Sequence, residues 1–226
     1  IEGLQSTGAT VDNDYIPIGG VFIPDINLRS ALEISIISQQ IEKITGPWLW
    51  MIAPTQTDGP GAIKDGRDFL SEASGGAVTE LEIAANGAAE GSPVGSQAWL
   101  AAEISSEGGN NINDLVNAIG LSGDGGVDNH VAYGYISLES QTSQESVPML
   151  IGSDDSTRVW VNGTQVYEHV ASRGAHDFQN WLEVSLEIGT NHLLVTVYQG
   201  NGEWSGFFGR DANFSAAGRD YVTSGA

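Results

Sequence analysis

Hydrophobic and polar positions alternate most clearly between Met149 and Gly209. Val159 and Val161 alternate with Arg158 and Trp160, and Asn162-Gly163 follows at once. Asn-Gly after such a run predicts a two-residue hairpin, because both residues tolerate the positive φ of a type I′ turn. Leu182, Val184, Leu186 and Ile188 alternate with Glu183, Ser185 and Glu187, the pattern of a half-buried strand with one wet face. Gly189-Thr190-Asn191 then turns the chain into Leu193 to Tyr198, apolar on both faces and therefore central. Gly200-Asn201-Gly202 turns it again into Trp204 to Phe208. These segments predict an antiparallel all-β unit.

Upstream the pattern is more broken. Residues 1 to 24, with Gly3, Gly8, Pro17, Gly19, Gly20 and Pro24, read as a linker or an edge strand. Asp25 can cap a helix carrying Leu28, Leu32, Ile36 or Ile37, and Ile41, although the β-branched run Ile34-Ser35-Ile36-Ile37 opposes it. Gly46-Pro47 breaks that pattern, and Trp48 to Ile52 reads as an apolar strand stopped by Pro54. Residues 55 to 68 read as a surface loop, and Asp68 to Ser74 as a short helical turn ended by Gly75-Gly76. Thr79-Glu80-Leu81-Glu82 is a capping-box pattern opening a helix of about two turns before Asn86-Gly87. Residues 87 to 96 read as loop, and Gln97 to Ile104 as a strand carrying Trp99. Asn113-Asp114 is expected to cap a further short helix, and Val131 to Glu139 to form a strand with Tyr133 and Tyr135 on one face. The chain after Arg210 reads as a polar tail. The fold class expected is mainly β: an antiparallel β-sandwich of jelly-roll or galactose-binding-like type with two or three short helices. Its domain would span 46–212, preceded by a linker or attachment segment (1–45) packing on it and followed by a tail (213–226).

Composition narrows the function. Eight basic against 29 acidic residues give a formal charge of -21 over 226 residues. Such a surface repels phosphate backbones, which argues against nucleic acid, and attracts divalent cations. The chain has no cysteine, which excludes disulfides, thiolate metal sites and cysteine nucleophiles. No run of eighteen apolar residues occurs, so membrane insertion by a helix is not expected. A chain that begins at Ile1 without a signal sequence is expected to be a piece excised from a larger one, with neighbouring domains as partners. Acidity without cysteine suits a secreted or cell-surface bacterial protein.

Several motifs resemble those of sugar-binding-like β-sandwich domains of large secreted bacterial proteins. These are the accessory domain of β-galactosidase-type hydrolases and the lectin domain named after the anthrax protective antigen. The shared residues are Gly152-Ser153-Asp154-Asp155, Arg158 to Gly163, Glu187 to Asn191 with the strand from Leu193, and Gly202-Glu203-Trp204-Ser205-Gly206. Pro47 to Pro54, with Asp68 to Gly76, looks like the first half of the same domain. In the calcium-dependent lectin branch an adjacent Asp-Asp pair ligates calcium, and the ion holds sugar hydroxyls; the matching residues are Asp154 and Asp155. That branch usually carries Asp-Gly where this chain has Asn162-Gly163.

Calcium needs six to eight hard oxygens. Asp154 and Asp155 are candidate ligands, and Asp124, Asp128 and Asn129 lie in a Gly-rich loop that offers more. The alternative is a tight turn whose carboxylates bond nearby amides. Sugars stack their apolar faces on aromatics while carboxylates and amides bond the hydroxyls. Trp160, Trp204, Tyr167, Trp181 and Tyr198 are the candidates. Trp160 leads because Val159 and Val161 claim the core face, and Trp204 follows because it sits in a Gly-rich turn. Signals for catalysis are thin. Gly120-Leu121-Ser122-Gly123-Asp124 lacks the final glycine of a nucleophile elbow, and the four histidines show no metal-ligand spacing. The expectation is a non-catalytic extracellular module that binds carbohydrate, with calcium as the candidate cofactor. The alternatives are a ligand-free structural spacer and an uncharacterised carbohydrate-active hydrolase. An exposed Trp beside Asp154 favours binding, and buried Trp160 and Trp204 favour the spacer.

Overall fold

The computed structural model describes residues 41–122, 127–211 and 221–224. The segment expected as linker and helix before Ile41, and the candidate ligand Asp124, lie outside them. The described residues belong to one compact unit. As expected, the fold is mainly β with antiparallel sheets and a few short helices.

Two sheets face each other. The smaller contains β1 (Ile41–Lys43), β12 (Ser205–Asp211), β7 (Gln144–Asp154) and β10 (Asn180–Leu186), in that order. The larger runs β5 (Leu100–Ala102), β2 (Trp48–Pro54), β6 (His130–Ser140), β11 (Gly189–Gln199), β8 (Ser156–Val161) and β9 (Thr164–His169). A last strand, β13 (Tyr221–Ser224), pairs with the Ser137–Ser140 end of β6, where the sequence read as a polar tail. The strand expected over 97–104 is divided: β3 (Pro93–Val94) and β4 (Gln97–Ala98) form a separate small ribbon, and β5 joins the large sheet. The Asn162-Gly163 turn forms as expected between β8 and β9, with φ of 50° and 79°.

Between the sheets, Met149, Ile151, Leu182, Val184 and Phe208 of the small sheet meet Trp48, Trp50, Val159, Leu193, Val195 and Val197 of the large one. Trp48 stacks at a tilt on Phe208, with centroids 4.9 Å apart. The buried indoles keep their N–H groups satisfied: Trp48 Nε1 donates to Ile44 O at 3.2 Å and Trp204 Nε1 to Val197 O at 3.2 Å.

The other face of the large sheet is also buried. Leu49, Met51, Tyr133, Trp160, Leu194 and Tyr198 point away from the sandwich and are covered by Ile63, Phe69, Leu70 and Ile83. These come from α1 (Gly59–Lys64), α2 (Phe69–Ser74) and α3 (Glu80–Asn86), which make a third layer. Helix α1 forms where a loop was expected. Asp58 caps it by accepting from Gly61 N at 2.8 Å, and Pro60 fits the first turn, where its missing N–H has no partner to lose. Asp68 caps α2 with one oxygen and accepts Glu80 N at 2.8 Å with the other, tying α2 to α3. Thr79 and Glu82 complete the capping box of α3. A fourth helix, α4 (Asn111–Ala118), starts at Asn110; Asn113, expected as its cap, is buried inside it.

Candidate functional site

The acid pair stands where the chain crosses from one sheet to the other. Asp154 ends β7, Asp155 leads directly into β8, and the peptide between them is cis. Asp155 is held on every side. Its N–H donates to Tyr198 O at 2.9 Å, its Oδ1 accepts from Arg173 N at 2.9 Å, and its Oδ2 accepts from Gly200 N at 3.1 Å. The start of α1 presses against it: a Cβ on Gly59 would lie 3.0 Å from Asp155 Cβ and 3.2 Å from Asp155 Oδ2. Gly200 has equally little room, since its Cβ would meet Asp155 Oδ2 and Asp58 Cβ at 3.3 Å each. Asn129 N donates to Gly200 O at 2.8 Å, which seats the 127–130 loop beside the same corner.

Asp154 is held differently. It is 9% exposed, and among the described residues no hydrogen bond reaches its carboxylate. Burial pushes its pKa from the usual 3.8 up to about 7, the charges of Asp155 and Glu203 add to the effect, and Arg173 opposes it. Ser205 faces Asp154 across the β12–β7 ladder, so the two side chains share a sheet face. The Ser205 hydroxyl is buried and, among the described residues, finds no partner. Buried polar groups are almost always satisfied, so the orphaned Ser205 hydroxyl points to a missing partner.

Arg173 closes the side of the corner. Its Nε donates to Ser153 O at 3.1 Å, and its Nη2 to Ser153 Oγ at 2.8 Å and Asn180 Oδ1 at 2.7 Å. The loop that carries it crosses β7 so closely that a Cβ on Gly152 would lie 2.1 Å from His176 O. Arg173 was not singled out in the sequence. A usable signal was its rarity, a cation in the polar connection of a chain with only eight basic residues.

The other expected site residues separate. Asp128 is exposed in the 127–130 loop and its carbonyl accepts from His130 Nδ1 at 2.7 Å. Trp160 and Trp204 are corrected from ligand platforms to core residues, at 6% and 0% exposure. Trp160 does turn away from Val159 and Val161, but the face it turns to lies under the helices. Tyr198 is fully buried. Tyr167 is half-buried on edge strand β9, where it packs on the sandwich core and stacks on His169 at 6.5 Å. Trp181, on edge strand β10, is 44% exposed. Among the described residues no three His, Asp or Glu side chains converge on one point. A groove of about 460 Å³ lies elsewhere, between α3 and the 88–93 segment, with Glu82 as its one carboxylate.

No protein-family model matches the chain, and neither does any curated protein. Solved structures similar to it include two PA14 domains. One is the PA14 domain of the MpAFP antifreeze protein, at 16% identity and a TM-score of 0.39, covering 74% of this chain and 80% of that one. The other is a PA14 sugar-binding domain from an RTX adhesin, at 18% identity and a TM-score of 0.33, covering 54% of this chain and 70% of that one. Both scores fall below what would define a common fold.

Proposed function

We propose that this chain is a non-catalytic module that binds carbohydrate through a divalent cation held at the Asp154–Asp155 corner. The observation that carries this reading is the asymmetry of the pair. Asp155 is locked by two backbone N–H groups, while Asp154 sits buried beside it without a hydrogen bond, opposite an unsatisfied Ser205 hydroxyl. A buried carboxylate in such surroundings is costly unless it coordinates or pairs with a cation. Every donor at the corner is an oxygen, a set that suits calcium rather than a softer metal. Two carboxylates supply only part of its coordination, so hydroxyl, amide and backbone oxygens, water and sugar hydroxyls would complete it. The cation would supply a point of attachment for a pair of neighbouring hydroxyls. Asp155 and Arg173 would hold the corner open and oriented for it. An extracellular or cell-surface setting, where calcium is abundant, accords with this use.

A ligand-free spacer is the second reading, favoured by the burial of Trp160 and Trp204 and by the capping bonds of Asp155. Calorimetric titration with calcium, followed by a glycan array in calcium and in chelator, separates the two. The binding reading expects saturable calcium uptake and calcium-dependent glycan binding, both lost in Asp154→Asn with the fold intact by circular dichroism. No uptake and no glycan binding would leave the spacer.

A further inference from the structure

Trp181 stands on the same outward face as Asp154. In the small sheet Trp181 lies opposite Leu150 and Ser205 opposite Asp154, so Leu150, Gly152 and Asp154 of β7 share one face with Trp181 and Ser205. Four residues of strand separate Leu150 from Asp154, which sets Trp181 about 13 Å along the sheet from the acid pair. All six tryptophans of the chain are described, and the other five are between 0% and 6% exposed. Trp181 is therefore the exception, on an edge strand, with Glu183 two residues on and exposed on the same face. Burial does not explain an indole there: its neighbours Leu182 and Val184 already take the core side.

We infer that Trp181 and Glu183 form a second subsite, for a further sugar residue of an oligosaccharide whose first residue is held at the acid corner. This rests on the carbohydrate reading above and extends it from a single sugar to a chain. The indole offers a flat apolar face to a pyranose ring, and the carboxylate accepts from its hydroxyls. The spacing exceeds one ring, so a monosaccharide at the corner cannot reach Trp181. The loop carrying Arg173 and His176 lies between the two positions.

The test uses mono-, di- and tetrasaccharides of glucose, mannose and galactose, titrated by calorimetry in calcium. For the series that binds, affinity should rise about threefold to tenfold from mono- to tetrasaccharide, the range expected for one aromatic stacking contact. Trp181→Ala should abolish that rise and leave the monosaccharide affinity alone, while Trp181→Phe keeps part of it. Trp181 is the exposed indole, so acrylamide quenching of the intrinsic fluorescence reports on it, and the tetrasaccharide should protect it. A flat length dependence, or a rise that survives Trp181→Ala, overturns the subsite and leaves the corner reading intact. Protection that grows with protein concentration without sugar also overturns it, in favour of self-association. No binding of any saccharide removes both.

Discussion

Adjacent carboxylates of one residue type carry opposite burdens at the corner. Asp155 accepts two backbone N–H groups, so its removal leaves both without a partner, at a cost of about 1–3 kcal/mol each. Asp155→Ala should therefore lower stability in chelator by about 2–6 kcal/mol, read from urea unfolding. Asp154 accepts nothing and is held against its own charge. Asp154→Asn should raise stability in chelator, by about 1 kcal/mol once solvent screening of the charge is allowed for. Equal losses in the two variants would mean that Asp154 has a hydrogen-bonding role of its own. The single-residue view also shows where sequence reasoning reached its limit. Alternation correctly turned Trp160 away from Val159 and Val161, but a strand has two faces and its pattern does not say what covers the second. The Gly-rich setting of Trp204 suggested exposure, yet its indole lies in the core with its N–H on Val197 O.

Helices α1 and α3 meet the sheet through a buried polar cluster that no local pattern announced. Glu80, the first residue of α3, accepts the Tyr133 hydroxyl at 2.6 Å. Arg158 reaches Tyr198 OH at 3.2 Å and Glu168 Oε2 at 2.8 Å from the next strands, and its Nη2 donates to Ile63 O at 2.5 Å. The capping box was legible because its residues lie three apart, whereas the Glu80–Tyr133 bond joins positions 53 apart. The strands and the hairpin turn were legible for the same reason as the box. The acid pair was visible as adjacent letters, but Arg173, Gly200 and Ser205 reach it only through tertiary pairing. Burial pushes the Glu80 pKa from its usual 4.5 to about 7, against the lowering effect of the Tyr133 bond, with Asp68 raising it and Arg158 lowering it further. A raised carboxyl contributes stability in full below about pH 4.5, and that contribution is lost as pH rises through about 7. The loss is about 3 kcal/mol at most. Glu80→Gln keeps an acceptor for Tyr133 and removes the titration. Its stability relative to the parent should therefore climb between pH 5 and pH 8 and level off above. A difference that stays flat across that range would place the Glu80 titration elsewhere.

Across the whole molecule the balance of charge sets a further constraint. The described ion pairs, Lys43–Asp177, Arg67–Glu72, Arg158–Glu168 and Arg210–Glu42, already engage four of the eight basic residues, and Arg173 is committed beside Asp154. Most of the 29 acidic residues therefore face one another's repulsion. Raising sodium chloride from about 0.1 M to about 1 M shortens the screening length from about 10 Å to about 3 Å. The melting temperature should climb by several degrees over that range, and an uncharged osmolyte of equal osmolality should not reproduce the form of the curve. Calcium tests a different quantity. At millimolar concentration it barely changes the screening length, so a rise in melting temperature there reports occupation of a site. The two responses separate by mutation: Asp154→Asn should keep the full sodium chloride response and lose the millimolar calcium response. If calcium still stabilises that variant as strongly as the parent, the ion is neutralising the acidic surface at large, and the corner holds no specific site.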